Sequence, residues 1–571
     1  MKNSQIASIF YRMADLLEIE GANSFRVRAY RNAADTIERM PKDVSDLIKE
    51  GKQLTSIHGV GPDLANKIQE IVKTGKLAQL DEIEQRTPPE MADLLKIGGL
   101  GPRRVKTIYS ELGVKSIQQL RAAAESGAIR GLPGFGEKIE SRILEDLRKK
   151  HIGEKRFRID RAESIVAPLL EHLRRPGNIR DLTVAGSFRR RKETVGDLDI
   201  LAISPDGGAV IDHFTRYGGV KEILSQGETR STVILSSGIQ VDLRVVPEES
   251  YGAALVYFTG SKPHNLHLRV MAIDRGWKNN EYGIYEGDKL IAGRTEESLY
   301  QALGLPWIPP EMREDTGEIE LAQRGKLPEL VTLEHIRGDL QCHTKYSDGK
   351  STIEGMAERA RKLGYAYLAI TDHSQSLRIA RGMQVEDLAR QIEEIDRLND
   401  QWKDFHLLKS CEVDILEDGS LDMPDEILAR LDLRVCAIHS CFQLSREKQT
   451  TRLLRAMDNP YFNILAHPTG RLIGKRTGYD IDLEKVLAAA KERGCVVEIN
   501  AHPERLDLNG AAARLARDTG VLLAISTDAH SPNELEYMRF GVDQARRGWL
   551  EAKNVINTRS WQDLRKLLNR K

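Results

Sequence analysis

Three aspartates in the sequence could hold divalent metal ions. Asp197 and Asp199 are two residues apart in the strand-like run GDLDILAIS, so both carboxylates project from one face of a strand. Asp242 lies in a second strand-like run, IQVDLRVVP, and could join them. Carboxylates that meet on one face repel each other unless cations neutralise them. Two hard ions, Mg²⁺ or Mn²⁺, would do so and would align an attacking hydroxyl with a phosphate, which is nucleotidyl transfer.

A second set of metal-ligand residues follows apolar runs in the C-terminal half. The set consists of histidines and acidic residues at the ends of these runs, as in YLAITDHS, RVCAIHS and LLAISTDAHS. Imidazole and carboxylate ligands together suit a cluster of Zn, Mn or Fe ions. The set therefore predicts a metal centre with phosphoesterase chemistry, separate from the three aspartates.

Glycine pairs in the first 150 residues predict contacts with phosphate groups. Each pair has the form Gly-x-Gly and opens an amphipathic helix, as in SIHGVGPDLANKIQEIV. The pairs are Gly59/Gly61, Gly99/Gly101 and Gly134/Gly136. Glycine permits the tight turn and a close approach of the backbone, and the N-terminus of the following helix faces the same anion. The repeated motif resembles the helix-hairpin-helix motif of DNA repair proteins, which implies contacts that bind the DNA backbone without reading its sequence.

The elements that position these residues differ between the parts of the chain. Strand-like runs in residues 155–310 predict a sheet beneath the aspartates; they are LTVAGSF, GDLDILAIS, TVILSS and IQVDLRVVP. From about residue 336, seven apolar runs alternate with helical stretches; the runs are GDLQCHT, YLAITDHS, LLKSCEVDI, RVCAIHS, FNILAHP, VVEINAHP and LLAISTDAHS. Strand–helix alternation predicts a parallel sheet or barrel, and polar clusters at strand ends are typical of βα-barrel active sites.

Length and composition set the wider limits. A chain of 571 residues is too long for one core, so about three or four domains are expected. No stretch of 18 apolar residues occurs, which excludes a membrane span, and the N-terminal segment MKNSQIASIFYRMADLLEIE predicts an amphipathic helix without a signal core. We therefore expect a cytoplasmic protein. Five cysteines without a CxxC pair predict reduced, mostly buried thiols.

The aspartate motif resembles the family X DNA polymerases. The residues that match are Gly186-Ser187, Arg190, Gly196-Asp197-x-Asp199, Asp242 and the segment YFTGSKPHNLHLR, residues 257–269. The resemblance implies that Ser187 and Arg190 hold the triphosphate and that Gly196 belongs to the nucleotide-binding residues. It also implies that Tyr257, Phe258 and Gly260 line the sugar, that Asn265 contacts the base edge and that Arg269 touches the template side. Lys262 and His264 depart from the residue types of the animal enzymes.

One lysine bears on a further activity of that family. Its N-terminal lyase uses a Schiff-base lysine after the first hairpin, and Lys67 falls at that place. Asp63 replaces a nearby basic residue of the lyase. Lyase chemistry and an ordinary solvated lysine are both open interpretations of Lys67.

The C-terminal motifs resemble the PHP (polymerase and histidinol phosphatase) family. They occur in the order DLQCHTKYSDG, ITDHS, CEVDILEDGSLD, AIHS, AHPTGR and TDAHS. The resemblance implies up to three ions. Their ligands would be His343, Glu412 and Asp528 for the first, Glu412, His439 and His467 for the second, and Asp348, His373 and His530 for the third.

The first PHP motif departs from the family pattern. It usually reads His-x-His, whereas here it is Gln341-Cys342-His343. An amide oxygen binds transition metals more weakly than imidazole. Two outcomes are open: an active site that needs added Mn²⁺, or a metal-poor domain that only supports the polymerase.

These observations predict a multidomain α and α/β chain. A helical helix-hairpin-helix region precedes a nucleotidyltransferase palm with a mixed β-sheet and a C-terminal distorted (βα)7 PHP barrel. We divide the chain into residues 1–90 (lyase-like helical domain with the first hairpin), 91–154 (helix-hairpin-helix fingers region), 155–245 (palm), 246–310 (thumb-like nucleotide-selection subdomain), 311–332 (linker) and 333–571 (PHP domain).

The predicted function is a DNA-directed DNA polymerase that fills short gaps in base-excision-type repair. The barrel would add a metal-dependent 3′-5′ exonuclease or an activity on 3′ ends or abasic sites. Gapped or nicked double-stranded DNA and dNTPs are the expected partners, no membrane is involved, and a monomer is expected. The alternatives are a scaffold that binds gapped DNA and a PHP phosphatase in which one of the two sites is inactive.

Overall fold

The structure, a computed structural model, describes residues 3–39, 44–49, 51–57, 59–95, 97–153 and 156–568. The first two residues of the predicted N-terminal helix lie outside this part of the chain. Two compact units are present, Met1–Lys155 and Arg156–Lys571. None of the helices in the described ranges is long and apolar enough to cross a membrane.

The first unit is helical, as the sequence predicts. Its helices are α1 (Asn3–Glu20), α2 (Ser24–Arg39), α3 (Val44–Lys49), α4 (Pro62–Thr74), α5 (Ala78–Arg86), α6 (Met91–Leu94), α7 (Pro102–Leu112), α8 (Ile117–Glu125) and α9 (Glu137–Gly153). One apolar cluster, drawn from residues between Ile6 and Leu147, forms the core of this unit. The three glycine pairs precede α4, α7 and α9, which agrees with the predicted hairpins.

The second unit begins with a mixed sheet. Its elements are β1 (Phe157–Arg158), α10 (Ile159–Arg174), β2 (Asp181–Val184), α11 (Gly186–Arg189), β3 (Thr194–Val195), β4 (Asp197–Ile203), α12 (Gly207–Thr215), β5 (Val220–Gln226), β6 (Arg230–Leu235) and β7 (Gln240–Val245). The strand order is β2-β4-β7-β6-β5, and only the β4–β7 pair is parallel. The sequence analysis missed β5, because this edge strand is mostly exposed and lacks an apolar alternation.

A small helical and hairpin region follows. It contains α13 (Tyr251–Thr259), α14 (Lys262–Ile273), β8 (Lys278–Asn280), β9 (Gly283–Glu286), β10 (Lys289–Ala292), α15 (Glu296–Ala302) and α16 (Glu318–Gln323). The segment 311–332, predicted to be a linker, packs Met312, Ile319 and Ala322 into the core of this region. Its proline and glutamate content suggested an exposed connector, but the apolar positions between these residues are buried, so the linker prediction is corrected.

The barrel completes the chain. Its elements are β11 (Gly338–Cys342), α17 (Ile353–Lys362), β12 (Tyr367–Ile370), α18 (Val385–Gln401), β13 (His406–Asp414), α19 (Asp425–Leu428), β14 (Leu433–Ala437), α20 (Arg446–Met457), β15 (Ile464–Leu465), α21 (Leu483–Glu492), β16 (Val496–Asn500), α22 (Gly510–Thr519), β17 (Leu523–Ser526), α23 (Met538–Arg547) and α24 (Trp561–Leu568).

The seven barrel strands are parallel and follow chain order. A parallel bridge between Cys342 and Ala529 joins the first strand to the end of the last, which closes the ring. Each of the seven predicted apolar runs overlaps one of these strands, so the predicted (βα)7 fold is confirmed. The five cysteines are free thiols, as predicted, and only Cys441 is exposed.

The sheet region and the barrel share their cores. Leu506 and Phe540 of the barrel lie in the apolar cluster of the mixed sheet, and Trp549 lies in the cluster of the region after it. Ion pairs between Arg158 and Glu504 and between Arg471 and Glu193 also join the two parts. The second unit therefore behaves as one packed body.

Candidate active sites

The three aspartates meet on the parallel pair of strands in the mixed sheet. Asp199 of β4 lies directly opposite Asp242 of β7, and Asp197 precedes Asp199 on the same face. The absence of a side chain at Gly186 leaves room for the Asp199 carboxylate, because a Cβ atom there would lie 2.8 Å from Asp199 Oδ2. Burial, together with the charges of Asp197 and Asp242, raises the pKa of Asp199 to about 7. The set is thus short of positive charge and fits divalent cations.

Two neighbouring polar residues fix the third aspartate. Thr232 Oγ1 donates to Asp242 Oδ1 over 2.5 Å, and Gln240 Nε2 donates to Asp242 Oδ2 over 2.6 Å. Thr232 lies opposite Asp242 in the β6–β7 register. The sequence analysis missed both residues, although polar side chains in otherwise apolar strands were a signal that could have found them.

A cavity of about 590 Å³ opens beside these aspartates. The eight residues predicted to bind the nucleotide all line it; they are Ser187, Arg190, Gly196, Tyr257, Phe258, Gly260, Asn265 and Arg269. Asn265 and Arg269 are four residues apart on α14 and therefore share one helix face. The lining also includes the cations Arg156, Lys192 and Lys262. A cavity with this lining suits a ligand that carries phosphate groups.

A half-buried ion-pair network supports Arg190. Its Nε atom lies 3.2 Å from Glu314 Oε1, and a guanidinium N–H donates to the Thr259 carbonyl. Arg547 of α23 donates to the Arg190 carbonyl over 2.6 Å and lies 3.3 Å from Glu314. Burial opposes ionisation of Glu314, but Arg190 and Arg547 outweigh it and lower its pKa. Glu314 would therefore compete with a bound phosphate for Arg190. Because Arg547 also pairs with Glu314, the negative charge of Glu314 is divided between the two arginines.

The histidine and carboxylate side chains gather at the C-terminal ends of the barrel strands. Three groups have ligand atoms close enough to hold an ion, and Glu412 belongs to two of them. The groups are His343, Glu412 and Asp528; His373, Glu412 and His439; and His343, Asp348, His373 and His530. The first matches the set predicted for the first ion, and the third contains the set predicted for the third ion.

Glu412 lies at the centre of this cluster. Its Oε1 atom is 2.9 Å from His467 Nε2 and 3.3 Å from His439 Nε2. Its Oε2 atom is 3.3 Å from both His343 Nε2 and His373 Nδ1. The structure thus brings together the eight predicted ligands, with His467 attached through Glu412.

Several buried polar atoms in this cluster have no hydrogen-bond partner among the described residues. They include both side-chain atoms of Gln341, the Nδ1 atoms of His343, His373 and His467, and Glu412 Oε2. Burying so many unsatisfied polar atoms is costly unless a ligand satisfies them. A cluster of cations would do so, and imidazole and carboxylate donors suit Zn, Mn or Fe.

The electrostatics of the cluster point the same way. Burial opposes the protonated form of His343, but Asp528 and Glu412 outweigh it and raise the pKa of His343 well above its ordinary value. Burial likewise opposes ionisation of Glu412, yet the surrounding histidines lower its pKa well below the usual range. The carboxylates therefore attract positive charge strongly, which metal ions would supply.

The glycine pairs of the first unit share one backbone geometry. The first glycine has a positive φ in every pair, 79° at Gly59, 91° at Gly99 and 80° at Gly134. A Cβ atom at the second glycine, Gly61, Gly101 or Gly136, would meet no atom within 4 Å. Each turn therefore leaves open space at the start of the next helix, where a phosphate could approach the backbone N–H groups.

Family models match four segments of the chain. They are a helix-hairpin-helix domain over residues 1–77, a SAM-like helix-hairpin-helix tandem over 91–149, the DNA polymerase beta thumb over 254–314 and the PHP domain over 339–502. A relative named DNA polymerase/3′-5′ exonuclease PolX, of Bacillus subtilis (strain 168), is 38% identical over 574 residues and is matched over 100% of both chains. The chain belongs to the PolX family of DNA polymerases.

Other relatives cover parts of this PolX chain. DNA polymerase lambda of Arabidopsis thaliana is 25% identical over 348 residues, which are 54% of this chain and 62% of the relative. A protein of Thermoanaerobacter sp. (strain X514) named "Probable phosphatase" is 33% identical over 207 residues, or 34% of this chain and 78% of the relative.

Several polar residues at the PolX metal cluster were missed by the sequence analysis. Asp414 pairs with His439 Nδ1, and buried Glu498 accepts a hydrogen bond from the His467 backbone N–H over 2.6 Å. Asn500 Nδ2 lies 3.2 Å from Asp528 Oδ2. These residues orient the predicted ligands. Asp414 and Asn500 lie within the predicted strand runs, but only the closed barrel shows which side chains they reach.

Two residues of the PolX chain that depart from the animal enzymes have different surroundings. Lys262 lines the nucleotide cavity. His264 is buried and bonds to Glu318 over 2.7 Å and to the Tyr300 hydroxyl over 2.9 Å. His264 therefore holds α14 against the segment around Glu318, and it is absent from the cavity lining.

Lys67 of the first PolX unit is held as an ammonium group. Its Nζ atom donates to Asp63 Oδ2 over 2.6 Å and lies 5.2 Å from the centre of the Tyr30 ring. Burial lowers the pKa of Lys67, but Asp63 and Tyr30 outweigh it, so the net shift is upward. A Schiff-base lysine must lose its proton, so this arrangement disfavours the predicted lyase role, which stays a prediction.

Proposed function

We propose that this chain is a gap-filling DNA polymerase that also removes 3′-terminal nucleotides from DNA. The observation that carries the polymerase assignment is the cavity that Asp197 and Asp199 line together with every predicted nucleotide-binding residue, with Asp242 directly opposite Asp199 in the sheet. The ligand would be a dNTP, and the DNA would be gapped or nicked duplex, bound through the glycine pairs. Full-length similarity to a DNA polymerase/3′-5′ exonuclease supports both activities.

The side chains divide the polymerase task by their chemistry. Ser187 and Arg190 would hold the triphosphate through hydrogen bonds and a fixed guanidinium. Asp197, Asp199 and Asp242 would hold Mg²⁺ or Mn²⁺, which stabilise negative charge on the transferring phosphate when bound. Thr232 and Gln240 keep Asp242 in place. Positioning the primer end and the phosphate within one site supplies most of the remaining rate.

The barrel would hydrolyse phosphodiester bonds at DNA 3′ ends. His343, Glu412 and Asp528 form one candidate metal group, and Asp414 orients His439 in another. Bound Mn²⁺, Zn²⁺ or Fe would supply Lewis-acid chemistry there, and up to three ions fit the donor sets. We favour Mn²⁺, since the amide of Gln341 replaces an imidazole donor. A monomeric state and a cytoplasmic location stay predictions from the sequence.

Reciprocal substitutions test this assignment. Primer extension on a one-nucleotide gap should fall by at least about a hundredfold in Asp242→Ala, because a metal ligand is lost, while 3′ excision persists. In His439→Ala, 3′ excision should fall by at least about a hundredfold, while primer extension persists. The exposed Asp288→Ala serves as a matched control and should leave both rates at the wild-type level. Tight binding of gapped DNA without either activity would instead indicate a scaffold.

A second candidate for the barrel is a phosphomonoesterase. The relative named "Probable phosphatase" is 33% identical over 207 residues of this chain, and the PHP model matches residues 339–502, which favours testing this reaction. Oligonucleotides ending in a 3′ phosphate and in a 3′ hydroxyl separate the two reactions. Release of inorganic phosphate without shortening of the strand would identify a phosphatase, whereas release of nucleotides supports the exonuclease.

A further inference from the structure

A short loop begins two residues after His373, one of the candidate metal ligands of the barrel. It covers residues 375–382, between β12 and α18, and is called here the arginine loop. Its base is closed by the Met383 N–H, which donates to the His373 carbonyl over 2.8 Å, and by a bridge between Ser374 and Met383. His373 belongs to two of the three candidate metal groups. The arginine loop therefore lies immediately beside the metal cluster.

Contacts within and beneath the arginine loop fix its shape. The Ser376 N–H donates to Asp422 Oδ2 over 2.9 Å, and the Gly382 N–H donates to the Leu377 carbonyl over 3.1 Å. A Cβ atom at Gly382 would lie 1.9 Å from the Ser374 carbonyl oxygen, so the turn is tightly packed. Ala380 is only 4% exposed and anchors the tip. The loop thus presents its outer side chains in a defined arrangement.

The outer side chains combine two cations with an exposed apolar residue. Ile379 is 93% exposed, the largest exposure among the large hydrophobic residues of the described ranges. Arg378 and Arg381 flank it, are exposed, and have no ion-pair partner within the described part of the chain. They line a surface cavity of about 550 Å³ together with Gln375, Ser376, Gly382 and Gln384, and this lining contains no carboxylate. The surface suits a ligand that offers both phosphates and an apolar face.

We propose that the arginine loop binds the 3′-terminal segment of a DNA strand that has separated from its complement. Arg378 and Arg381 would bind its phosphates, and Ile379 would lie against an unpaired base. The proposal rests on the exonuclease function proposed above and identifies the form of DNA that reaches the metal cluster. The protein would then use the loop to keep the terminal nucleotide apart from the duplex.

Burial of two central candidate ligands favours a single strand over a duplex end. His343 is 0% exposed and Glu412 is 1% exposed, whereas Asp348, His439 and His530 are half-buried. A terminal phosphodiester therefore reaches the two central ligands only after it leaves the base stack. Unstacking a terminal base pair costs free energy, which contacts to the freed base offset. Apolar side chains that insert beside bases and arginines that follow the backbone are the usual means of holding such strands.

Excision kinetics of the full-length protein test the roles of the two arginines. Arg378→Ala/Arg381→Ala should raise the KM for a single-stranded oligonucleotide. It should also reduce the slope of log(kcat/KM) against log salt by about 1.4, since each phosphate contact to a single strand contributes about 0.7. Hydrolysis of bis(p-nitrophenyl) phosphate and the metal content should stay unchanged. The control Arg430→Ala/Arg565→Ala removes two exposed arginines elsewhere on the barrel and should not change the slope.

The role of Ile379 is tested by a separate measurement, which compares the excision rates of a blunt duplex and of a single strand. Ile379→Ala should slow excision from a blunt duplex about fivefold more than excision from a single strand, because only the duplex end must be held open. Ile273→Ala, at a residue that is 59% exposed and lies outside the barrel, is the matched control. Equal effects on the two substrates, or none, would overturn the role of Ile379.

Binding measurements keep the loop testable even if the barrel proves inactive. An oligonucleotide with 2-aminopurine next to its 3′ end should change fluorescence on binding the wild-type chain, and the change should be smaller in both loop variants. Identical signals in wild type and both loop variants would overturn the proposal. Failure of the proposed exonuclease would appear differently, as wild-type protein that hydrolyses neither DNA nor bis(p-nitrophenyl) phosphate.

Discussion

Glu296 lies between two arginines, one of which adjoins a phosphate-binding residue. Arg189 and Arg313 each make two hydrogen bonds to its carboxylate, at distances from 2.7 to 3.1 Å. Arg313 is fully buried. Burial opposes ionisation of Glu296, but the two guanidinium groups outweigh it and lower the pKa of Glu296 to about 2. A single carboxylate thus balances two cations, one of which donates to Thr259 in the lining of the cavity beside the aspartates.

Glu296→Gln should destabilise the second unit by about 3 kcal/mol at neutral pH, because it leaves the buried Arg313 charge unpaired. The pKa of Glu296 is lower in the folded than in the unfolded chain. Its contribution is therefore complete above about pH 4.5 and is lost as the pH falls toward 2. Urea unfolding followed by tryptophan fluorescence at pH 7 and pH 3 measures both effects. The exposed Glu297→Gln is the control, and equal destabilisation by both variants would contradict this role.

Gln341 is the residue at which the metal cluster departs from its family. Both side-chain polar atoms of Gln341 are buried without a hydrogen-bond partner in the described ranges, which fits a side chain that faces bound ions. Gln341→His should raise the metal content and the excision rate without added Mn²⁺. Gln341→Leu, of similar size and without a donor, should lower both. Unchanged metal content in both variants, measured by elemental analysis, would show that residue 341 is not a ligand.

At the scale of elements, the three hairpins are alike in backbone but differ after the second glycine. Proline follows Gly61 and Gly101 at the first position of α4 and α7, whereas Glu137 follows Gly136 at the start of α9. A carboxylate at a helix N-terminus repels a phosphate and uses the same positive end of the helix. We therefore expect the first two hairpins to bind DNA more strongly than the third.

Gly101→Val should weaken binding of gapped DNA about tenfold, since its side chain fills the open space in front of α7 and blocks a charge-assisted hydrogen bond. Gly136→Val should have a smaller effect because Glu137 already disfavours phosphate there. Fluorescence anisotropy with a labelled gapped duplex measures both, and circular dichroism checks that α7 and α9 remain folded. Equal weakening by the two variants would contradict the difference between hairpins.

The sequence predicted correctly those elements whose residues are apolar over nearly their whole length. All seven barrel strands were found because parallel strands covered by helices are apolar throughout. Strand β5 was missed because it is an exposed edge strand with no periodic signal. The segment 311–332 was taken for a linker because its composition resembles loops, although Arg313 within it is fully buried against Glu296. Composition describes the segment alone, whereas burial depends on what packs over it.

At the scale of the whole molecule, the apolar core of the first unit stays within the predicted N-terminal domains. Two apolar cores of the second unit, in contrast, cross the predicted boundary between residues 332 and 333. The core of the first unit contains only residues of that unit. Phe540 and Trp549 of the barrel, by contrast, lie in clusters formed mainly by residues before 332. The two candidate active sites therefore share one packed body. Helix α23 also provides Arg547, which contacts Glu314 and Arg190 at the nucleotide cavity.

A fragment of residues 156–571 should fold and hydrolyse bis(p-nitrophenyl) phosphate at the rate of the full chain, with weaker binding of gapped DNA. A fragment of residues 333–571 should be less stable, because it exposes Phe540 and Trp549. Thermal unfolding and size-exclusion chromatography compare the two fragments. An isolated barrel as stable as the longer fragment would show that the shared clusters contribute little.

The sequence by itself determined the candidate metal-ligand residues, the glycine pairs and the order of domains, because each depends on residue types at short spacing along the chain. Only the tertiary structure decided which side chains support them. Asp414 reaches His439, and Arg547 reaches Glu314 across 233 residues of chain. Such pairs carry no local signal, since folding brings them together through the closed barrel and its packing against the sheet. Their positions follow from the three-dimensional fold.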